Sequence, residues 1–520
     1  MSRLLHIDQM LAAQARVRPH EVGVRDLTKE LTFQRWNDRS TRLAAGLLTA
    51  GLSKGDRVAI LAYNRLEWAE IYVAVAQTGL IAVPVNFRLS ALEISYIFSD
   101  CGIAAIIAET DFIDLVEIVK PDIQPHLKLT IYIGVSGPEC WQSYEALIEA
   151  GSFTPSLNEM EGSDTWCLMY TSGTTGNPKG AIRNHESASL IAMMTCVELG
   201  FSQRDNGLLV MPMCHANSLY FFISLLSVGA TITIFSAKSF NAEECLDVME
   251  KYKTSFTSLT PTHYIMLLDV PFETRNRKNL LAVSKLMISS ATARVETKRA
   301  VMDIFPNAGL FELYGSTEAA WVTMLHPDEQ LNQLGTVGRE VVGAGPIKLL
   351  DEQGNEVPDG EPGELYSFSP YNFSGYWNLP EKTAEAFHGH YLTVGDIAVR
   401  NADGFIKLID RKKNMIITGG ENVYPTEVEA VVGAHPAVKD VAVVGCPDPK
   451  WGDVVTAAVV LKTGISLSEA ELIEWTKNKI AGFKRPRRIV FITSDEMPRN
   501  TTGKIMHRIL RDILAEGDQN

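Results

Sequence analysis

Residues 165–194 read TWCLMYTSGTTGNPKGAIRNHESASLIAMM. The first part, TWCLMY (165–170), is an apolar, strand-like run, and GAIRNHESASLIAMM (180–194) leads out towards a helix. The overlapping stretch YTSGTTGNPKG (170–180) holds four Ser or Thr hydroxyls, three glycines, one proline and a single charge, Lys179. Glycines let backbone N–H groups converge on one point, hydroxyls add donors, and the lysine adds a fixed positive charge, so the surface suits a phosphate chain. A flexible connector is the plainer reading of such a composition. The strand before it and the helix after it favour phosphate. A kinase-type P-loop, G-x-x-x-x-G-K-[ST], is excluded, because Lys179 is followed by Gly180 and no hydroxyl stands beside it for a metal.

The alternation continues on both sides. Apolar, often β-branched runs RVAILA (57–62), IAVPV (81–85), AAIIAE (104–109), LTIYIGV (129–135), NGLLVMP (206–212) and KLMISS (285–290) are interleaved with amphipathic segments such as WAEIYVAVAQTG (68–79) and NAEECLDVMEKY (241–252). Fully apolar strands alternating with helices predict an α/β fold with parallel, doubly covered sheets. The texture changes after about residue 340. PIKLLDEQGNEVPDGEPGELYSFSP (346–370) breaks short strands with Gln-Gly, Asp-Gly and Pro-Gly turns, as in a small antiparallel β-subdomain. Beyond GFIKLIDRKKNMI (404–416), the segment from PTEVEAVVGAHPAVKDVAVVGCPD (425–448) onward reads as a compact α+β unit. The basic run DRKK (410–413) reads as a linker between them or as an ordinary loop.

Composition narrows the class. With 520 residues and 46% hydrophobic content the chain can build several cores at ~100–200 residues per domain. A formal net charge of −14 argues against a nucleic-acid partner, which calls for a basic face. Seven cysteines, an odd number without any C-x-x-C, fit a reducing cytoplasm rather than a disulfide framework or zinc site. The first residues, MSRLLHIDQMLAAQARVRPHE, read as an amphipathic helix and lack a signal-peptide core. LYFFISLLSVGATITIF (219–235) is seventeen largely apolar residues, just under the usual ~20 of a membrane span. Gly229 divides it into a helix-compatible half and the β-branched ATITIF, so a buried helix feeding a buried strand is expected, with no transmembrane segment.

Four further motifs follow the glycine-rich loop: LYGSTEA (313–319), YLTVGD (391–396), DRKKNMIITGGENVYPTEVE (410–429) and PRNTTGKIMHR (498–508). In order, content and separation the five resemble the adenylate-forming enzymes, a group of acyl-CoA synthetases, amino-acid adenylation domains and firefly-type luciferases. The resemblance covers nearly the whole chain. It implies a large N-terminal domain, residues 1–410, with doubly covered sheets and a small β-subdomain, and a small mobile C-terminal α+β domain, residues 411–520. It also implies two half-reactions. A carboxylate attacks the α-phosphate of Mg-ATP to give an acyl-adenylate and pyrophosphate; a thiol, that of coenzyme A, then displaces AMP. No covalent enzyme nucleophile is needed, and catalysis rests on holding anions together.

Residue roles follow from the same resemblance. Thr171, Ser172, Gly173, Thr174, Thr175, Gly176 and Lys179 are expected around the β- and γ-phosphates, Thr317 at the α-phosphate, and Glu318 with Thr171 at magnesium. A carboxylate with phosphate oxygens is the usual way magnesium is held on a nucleotide. Tyr314 is similar to the aromatic that stacks on adenine, and SSATA (289–293), with Ser290 and Ala291, to the strand end lining adenine and acyl group. Asp396 resembles the ribose-hydroxyl acceptor, although Tyr391 and Val394 depart from the commonest Trp and Thr of that motif; Arg411 also matches a ribose contact. Asn414 stands where an aspartate is frequent. Lys504 resembles the adenylation lysine, Gly419 and Gly420 the lining of a pantetheine tunnel, and Lys413 the hinge that exchanges the two.

Arg88, Trp451, Phe483, Arg485 and Arg487 match positions that bind coenzyme A in aryl- and acyl-CoA ligases, although KRPRR also reads as a solvated basic stretch. MPMCHANSLYFF (211–222) is expected to bring His215 to the mouth of the carboxylate pocket; a structural histidine is the other reading. No acid follows His215 to pair an α-amino group, which favours a fatty or aromatic acid, and Trp321 is expected to narrow the pocket. Three functions compete: an acyl-CoA ligase, a stand-alone adenylation enzyme serving a carrier protein, and a nucleotide-sensing protein on an inactive scaffold. Lys504, Glu318 and Asp396 are intact, against the third. The expected partners are a small-molecule carboxylic acid, ATP and coenzyme A in the cytoplasm. Peripheral membrane contact for a long-chain acid, and a homodimer, are left open.

Overall fold

A computed structural model describes residues 4–123, 126–152, 160–171, 177–289, 293–418, 421–477, 479–499, 503 and 505–516. The chain forms two compact units, Met1–Pro346 with Ser367–Leu392, and Ile347–Tyr366 with Thr393–Asn520.

The first unit contains two large sheets. In one, the strand order is Gln142–Ser143, Leu129–Ile133, Ile103–Glu109, Arg57–Leu61, Ile81–Pro84, Thr165–Thr171 and Lys179–Asn184. Its pairings are parallel except the last, where Thr165–Thr171 and Lys179–Asn184 form an antiparallel hairpin. The other runs Arg339–Glu340, Ala320–Leu325, Gly309–Ser316, Lys285–Ser289, Phe256–Leu259, Asn206–Leu209, Thr231–Ile234, Val22–Arg25 and Glu30–Thr32. Its centre is parallel and its two margins antiparallel.

Alternating side chains feed different cores, as the two-residue period of a strand requires. Val58 and Ile60 face a central core shared with helices Phe33–Thr49, Glu67–Thr78 and Ala216–Val228, and with Ile232 and Met287 of the second sheet. Ala59 and Leu61 face the opposite side, against helices Ala91–Cys101 and Ile113–Ile123. Leu208 and Ile288 of the second sheet face outward onto helices Ala242–Lys251 and Pro261–Asp269. Both sheets are therefore covered on both faces, as the apolar runs predict. Residues 219–235 divide as expected, into helix Ala216–Val228 and strand Thr231–Ile234, with Gly229 at φ +71 ending the helix. Among the described residues no helix is long and apolar enough to cross a membrane.

The second unit holds a four-stranded antiparallel sheet of Lys348–Leu350, Gly363–Tyr366, Asp396–Arg400 and Ile406–Arg411. It also holds an α+β sheet built on the long hairpin Val438–Asp448 and Gly452–Leu461. The basic run at 410–413 differs from a free linker. Asp410 and Arg411 end a strand, paired with Ile397 and Asp396. The Asp410 carboxylate accepts from the Thr426 N–H and the Asn414 amide, each at 3.1 Å, tying this strand to helix Pro425–Gly433. Charged residues hid a strand here because the sheet edge solvates alternate side chains.

One buried ion pair bears on the site. Leu310 and Glu312 share the face of strand Gly309–Ser316 that meets helix Val295–Ile304, where Lys298 pairs with the Glu312 carboxylate. Both are almost fully buried, and the Ala293 N–H also reaches Glu312. Removing one partner strands a buried charge, so Lys298→Met is expected to lower unfolding free energy by about 3–5 kcal/mol. Adding Glu312→Gln should recover part of that loss. Urea titrations of both variants check this, and wild-type stability in Lys298→Met would show that the pair contributes nothing.

Candidate active site

Two hairpins carry the nucleotide motifs. In the first, Thr171 and Lys179 are cross-strand partners, so the glycine-rich loop is closed at both ends by the sheet. Ser172, Gly173, Thr174, Thr175 and Gly176 lie outside the described residues. In the second, strands Gly309–Ser316 and Ala320–Leu325 present the turn Thr317–Glu318–Ala319. The register shifts between Tyr314 and Gly315, and a Cβ on Gly315 would lie 2.1 Å from the Ala320 carbonyl oxygen. Only glycine fits there. Ala320 itself sits at φ +57, a strained conformation for a residue with a Cβ, costing of order 1–3 kcal/mol.

The two hairpins are joined by Arg183, which is 1% exposed. Its guanidinium donates to the carbonyls of Tyr371 at 2.6 Å, Glu318 at 3.0 Å and Thr317. Phe373 N–H reaches the Glu318 carbonyl at 2.8 Å. The Glu318 side chain is thereby aimed at the first hairpin. Its Oε1 accepts from the Tyr376 hydroxyl at 2.8 Å and the Thr171 hydroxyl at 3.4 Å. Lys179 Nζ lies 3.8 Å from the centre of the Tyr376 ring. The fold brings Thr171, Lys179, Thr317 and Glu318 onto these two hairpins, whereas sequence reading did not single out Arg183 or Tyr376. A charged residue inside the apolar strand GAIRN was a usable signal for Arg183. Tyr376 had none.

Glu318 is buried, yet no described cation pairs with it. A buried carboxylate held, among the described residues, by two neutral hydroxyls calls for a cation. Hard oxygen donors of this kind suit magnesium, and a single protein carboxylate is enough when phosphate oxygens complete the shell. Among the described residues no cluster of three or more His, Cys, Asp or Glu side chains could hold a metal by itself.

His215 stands at the N-cap position of helix Ala216–Val228, and its Nε2 lies 3.5 Å from the Asn86 amide. Burial, then the Arg88 guanidinium, push its pKa down to about 4. The ring is neutral at pH 7. Trp321 is fixed: its indole N–H donates to Thr195 Oγ1 at 2.8 Å and its ring packs on Tyr220 and Phe221. Tyr314 is half-buried on the strand leading to Thr317, while Ser290 and Ala291 lie outside the described residues.

In the second unit, Asp396 and Arg411 are cross-strand partners joined at 2.5 Å, so the two ribose candidates meet. The Arg487 guanidinium stacks 4.2 Å over the Trp451 ring, which makes a flat, cationic face. Arg485 is engaged elsewhere, donating to Thr476 Oγ1 at 3.2 Å and the Ile473 carbonyl at 2.9 Å at the C-terminal end of helix Glu469–Trp475. Phe483 is exposed. Gly419, Gly420 and Lys504 lie outside the described residues.

Comparison with known proteins identifies the family. The sequence profile described as AMP-binding enzyme matches residues 11–377, and that of the AMP-binding enzyme C-terminal domain matches 427–504. The chain belongs to this family of AMP-forming acyl- and aryl-CoA ligases. It is 31% identical to the long-chain-fatty-acid–CoA ligase FadD13 of Mycobacterium tuberculosis over 98% of both chains. It is 32% identical to a feruloyl-CoA synthase of Amycolatopsis sp over 95% of this chain and 96% of that one. Among solved structures, the anthranilate CoA ligase AuaEII in complex with anthranoyl-AMP superposes with a TM-score of 0.90 at 26% identity, covering 100% of this chain and 99% of the other.

The neutral state of His215 is testable. A folded pKa of about 4 against the ordinary 6.5 means that the unfolded chain binds the proton more readily between those values. His215 therefore stabilises fully above pH 6.5, and that contribution is lost as pH falls towards 4. The acid-side slope of stability should be shallower in His215→Gln, and an NMR titration of the ring should have its midpoint at about 4. A midpoint near 6.5 would show a solvated imidazole.

Proposed function

We propose that the chain is an ATP- and magnesium-dependent carboxylic acid–CoA ligase that releases AMP and pyrophosphate. The observation that carries this reading is the buried Glu318 carboxylate, held against Thr171 and Tyr376 beside the closed ends of the phosphate loop. In the first half-reaction a substrate carboxylate oxygen bonds to the α-phosphorus of ATP, the bond to the β-phosphate oxygen breaks, and pyrophosphate leaves. In the second, the coenzyme A sulfur bonds to the acyl carbon, AMP leaves, and the thiol proton passes to solvent. Lys179 neutralises the terminal phosphates, and Thr317 donates to the α-phosphate. When bound at Glu318 and Thr171, magnesium supplies Lewis-acid polarisation of phosphoryl oxygens. In the second unit Asp396 and Arg411 orient the ribose and the Trp451–Arg487 face takes the adenine of coenzyme A; in the first unit Arg88 is a candidate for a phosphate of coenzyme A.

Lys504 bridges the incoming carboxylate and the α-phosphate. A unit charge at 4 Å from another is worth roughly 4 kcal/mol at an effective dielectric of 20. Residues 411–520 turn about Lys413 to exchange Lys504 for Gly419–Gly420. Such a turn must break the Asp410 bonds to Thr426 and Asn414 that brace it. We place the protein in the cytoplasm because its seven cysteines are all free thiols.

Incubation with ATP, coenzyme A and a panel of acids tests the reading through thioester formation. Glu318→Gln keeps shape but removes the charge, and should lower AMP release by about 10²-fold or more while raising the magnesium concentration needed, at ~1.4 kcal/mol per decade. Undiminished turnover in excess chelator would refute the assignment. Lys504→Ala should slow adenylation by about two to three decades. Given chemically made acyl-adenylate, the same variant should transfer to coenzyme A at close to the wild-type rate. Equal loss in both steps would point to a structural lysine and against the domain exchange.

A further inference from the structure

A buried polar triad sits among apolar side chains in the first unit. Asn217, in the first turn of helix Ala216–Val228, donates one amide N–H to Ser258 Oγ at 3.0 Å and the other to Ser289 Oγ at 2.9 Å. The two hydroxyls are 3.3 Å apart. Ser258 and Ser289 lie near the C-terminal ends of neighbouring parallel strands, Phe256–Leu259 and Lys285–Ser289, and the next strand, Gly309–Ser316, runs to Thr317. The crevice at such strand ends is where parallel sheets hold ligands. One helical turn from Asn217, the Tyr220 hydroxyl donates to the Thr317 carbonyl at 3.4 Å, so the triad and the nucleotide turn share one side chain's reach.

The triad's own bonds do not use all its polar groups. Both Asn217 N–H groups are engaged, and the contact between hydroxyls uses one serine proton. Asn217 Oδ1 and the second hydroxyl proton have no partner among the described residues. They leave one acceptor and one donor side by side. Neighbouring Tyr220, Phe221 and Trp321 form an aromatic wall, with the Trp321 indole fastened to Thr195. An alkyl chain laid along this wall would cover the leftover acceptor without pairing it, which is unfavourable.

We propose that the triad reads a hydrogen-bonding substituent on the acid, so that the substrate is an acid bearing a hydroxyl or amino group rather than a plain alkyl acid. This rests on the ligase reading and makes Asn217 its specificity-determining residue. Such a substituent accepts the serine proton and donates to Asn217 Oδ1. Sites built to bond a polar substituent reject analogues lacking it far more strongly than apolar pockets distinguish a methylene.

The test uses the full chain with ATP, magnesium and coenzyme A. Benzoate and cinnamate are compared with their ring-hydroxylated and ring-aminated analogues and with octanoate. The best substituted acid should exceed its unsubstituted parent by about 10²-fold in kcat/KM. Asn217→Leu should bring that ratio to within about threefold, as expected once an apolar pocket replaces a hydrogen-bonding one. Ser289→Ala, a smaller change, should reduce it about tenfold while keeping the melting temperature. Preference for octanoate or for the bare rings, or an unchanged ratio in both variants, would overturn the inference while leaving the ligase intact. Absence of AMP release with every acid would overturn the ligase reading and the inference with it.

Discussion

The guanidinium of Arg183 is the contact on which the nucleotide end of the first unit depends. It leaves the edge strand of one sheet and donates to the turn carbonyls of Thr317 and Glu318 at the end of the other, and to Tyr371. A planar fork of donors suits several converging carbonyls, which a lysine ammonium could not meet in the same geometry. The arrangement has a cost: the cation is buried with carbonyl dipoles rather than a carboxylate, and its Nε has no partner among the described residues. The Tyr220 ring, 5.3 Å away, offsets part of this. With its backbone fixed from the carbonyl side and its carboxylate fixed by Tyr376, Glu318 has little freedom left. The strain at Ala320 and the missing Cβ at Gly315 are tolerated because this clamp over-determines the turn.

What the sequence makes legible follows from how far apart the interacting residues are. The parallel strands could be read from single apolar runs, since burial on both faces leaves no room for polar alternation. The helix and strand within 219–235 could be separated because Gly229 marks the change with a left-handed backbone. The strand ending at Arg411 could not, because its side chains at an antiparallel sheet look like those of a loop. Thr171, Lys179, Thr317 and Glu318 were legible as motifs because each group is contiguous. Arg183 acts on residues 134, 135 and 188 positions away, and Tyr376 on Glu318, 58 positions away. Nothing local announces such partnerships. Asn217 is an intermediate case: its lack of charge favours a fatty or aromatic acid, and its two serine partners, 41 and 72 positions on, make it part of a polar cluster that the local sequence does not announce.

A chain of net charge −14 that handles ATP, coenzyme A and a carboxylate must overcome its own sign. At physiological ionic strength exposed charges are screened over about 8 Å, so the acidic surface is weakly felt inside a closed site. What decides binding there is the local set of cations. On the proposed reading these include Lys179 in the first unit, while Arg183 holds the turn at Thr317–Glu318. In the second, Arg411 is already neutralised by Asp396, and Arg487 lies over the Trp451 ring with no acid against it among the described residues. A paired arginine supplies geometry; an unneutralised one supplies charge. By that distinction Asp396–Arg411 suits a neutral diol such as ribose, and Trp451–Arg487 suits a phosphorylated purine. The two faces of the second unit therefore differ in charge as well as in place. Sequence motifs do not convey that difference, because it depends on which carboxylate each guanidinium has found.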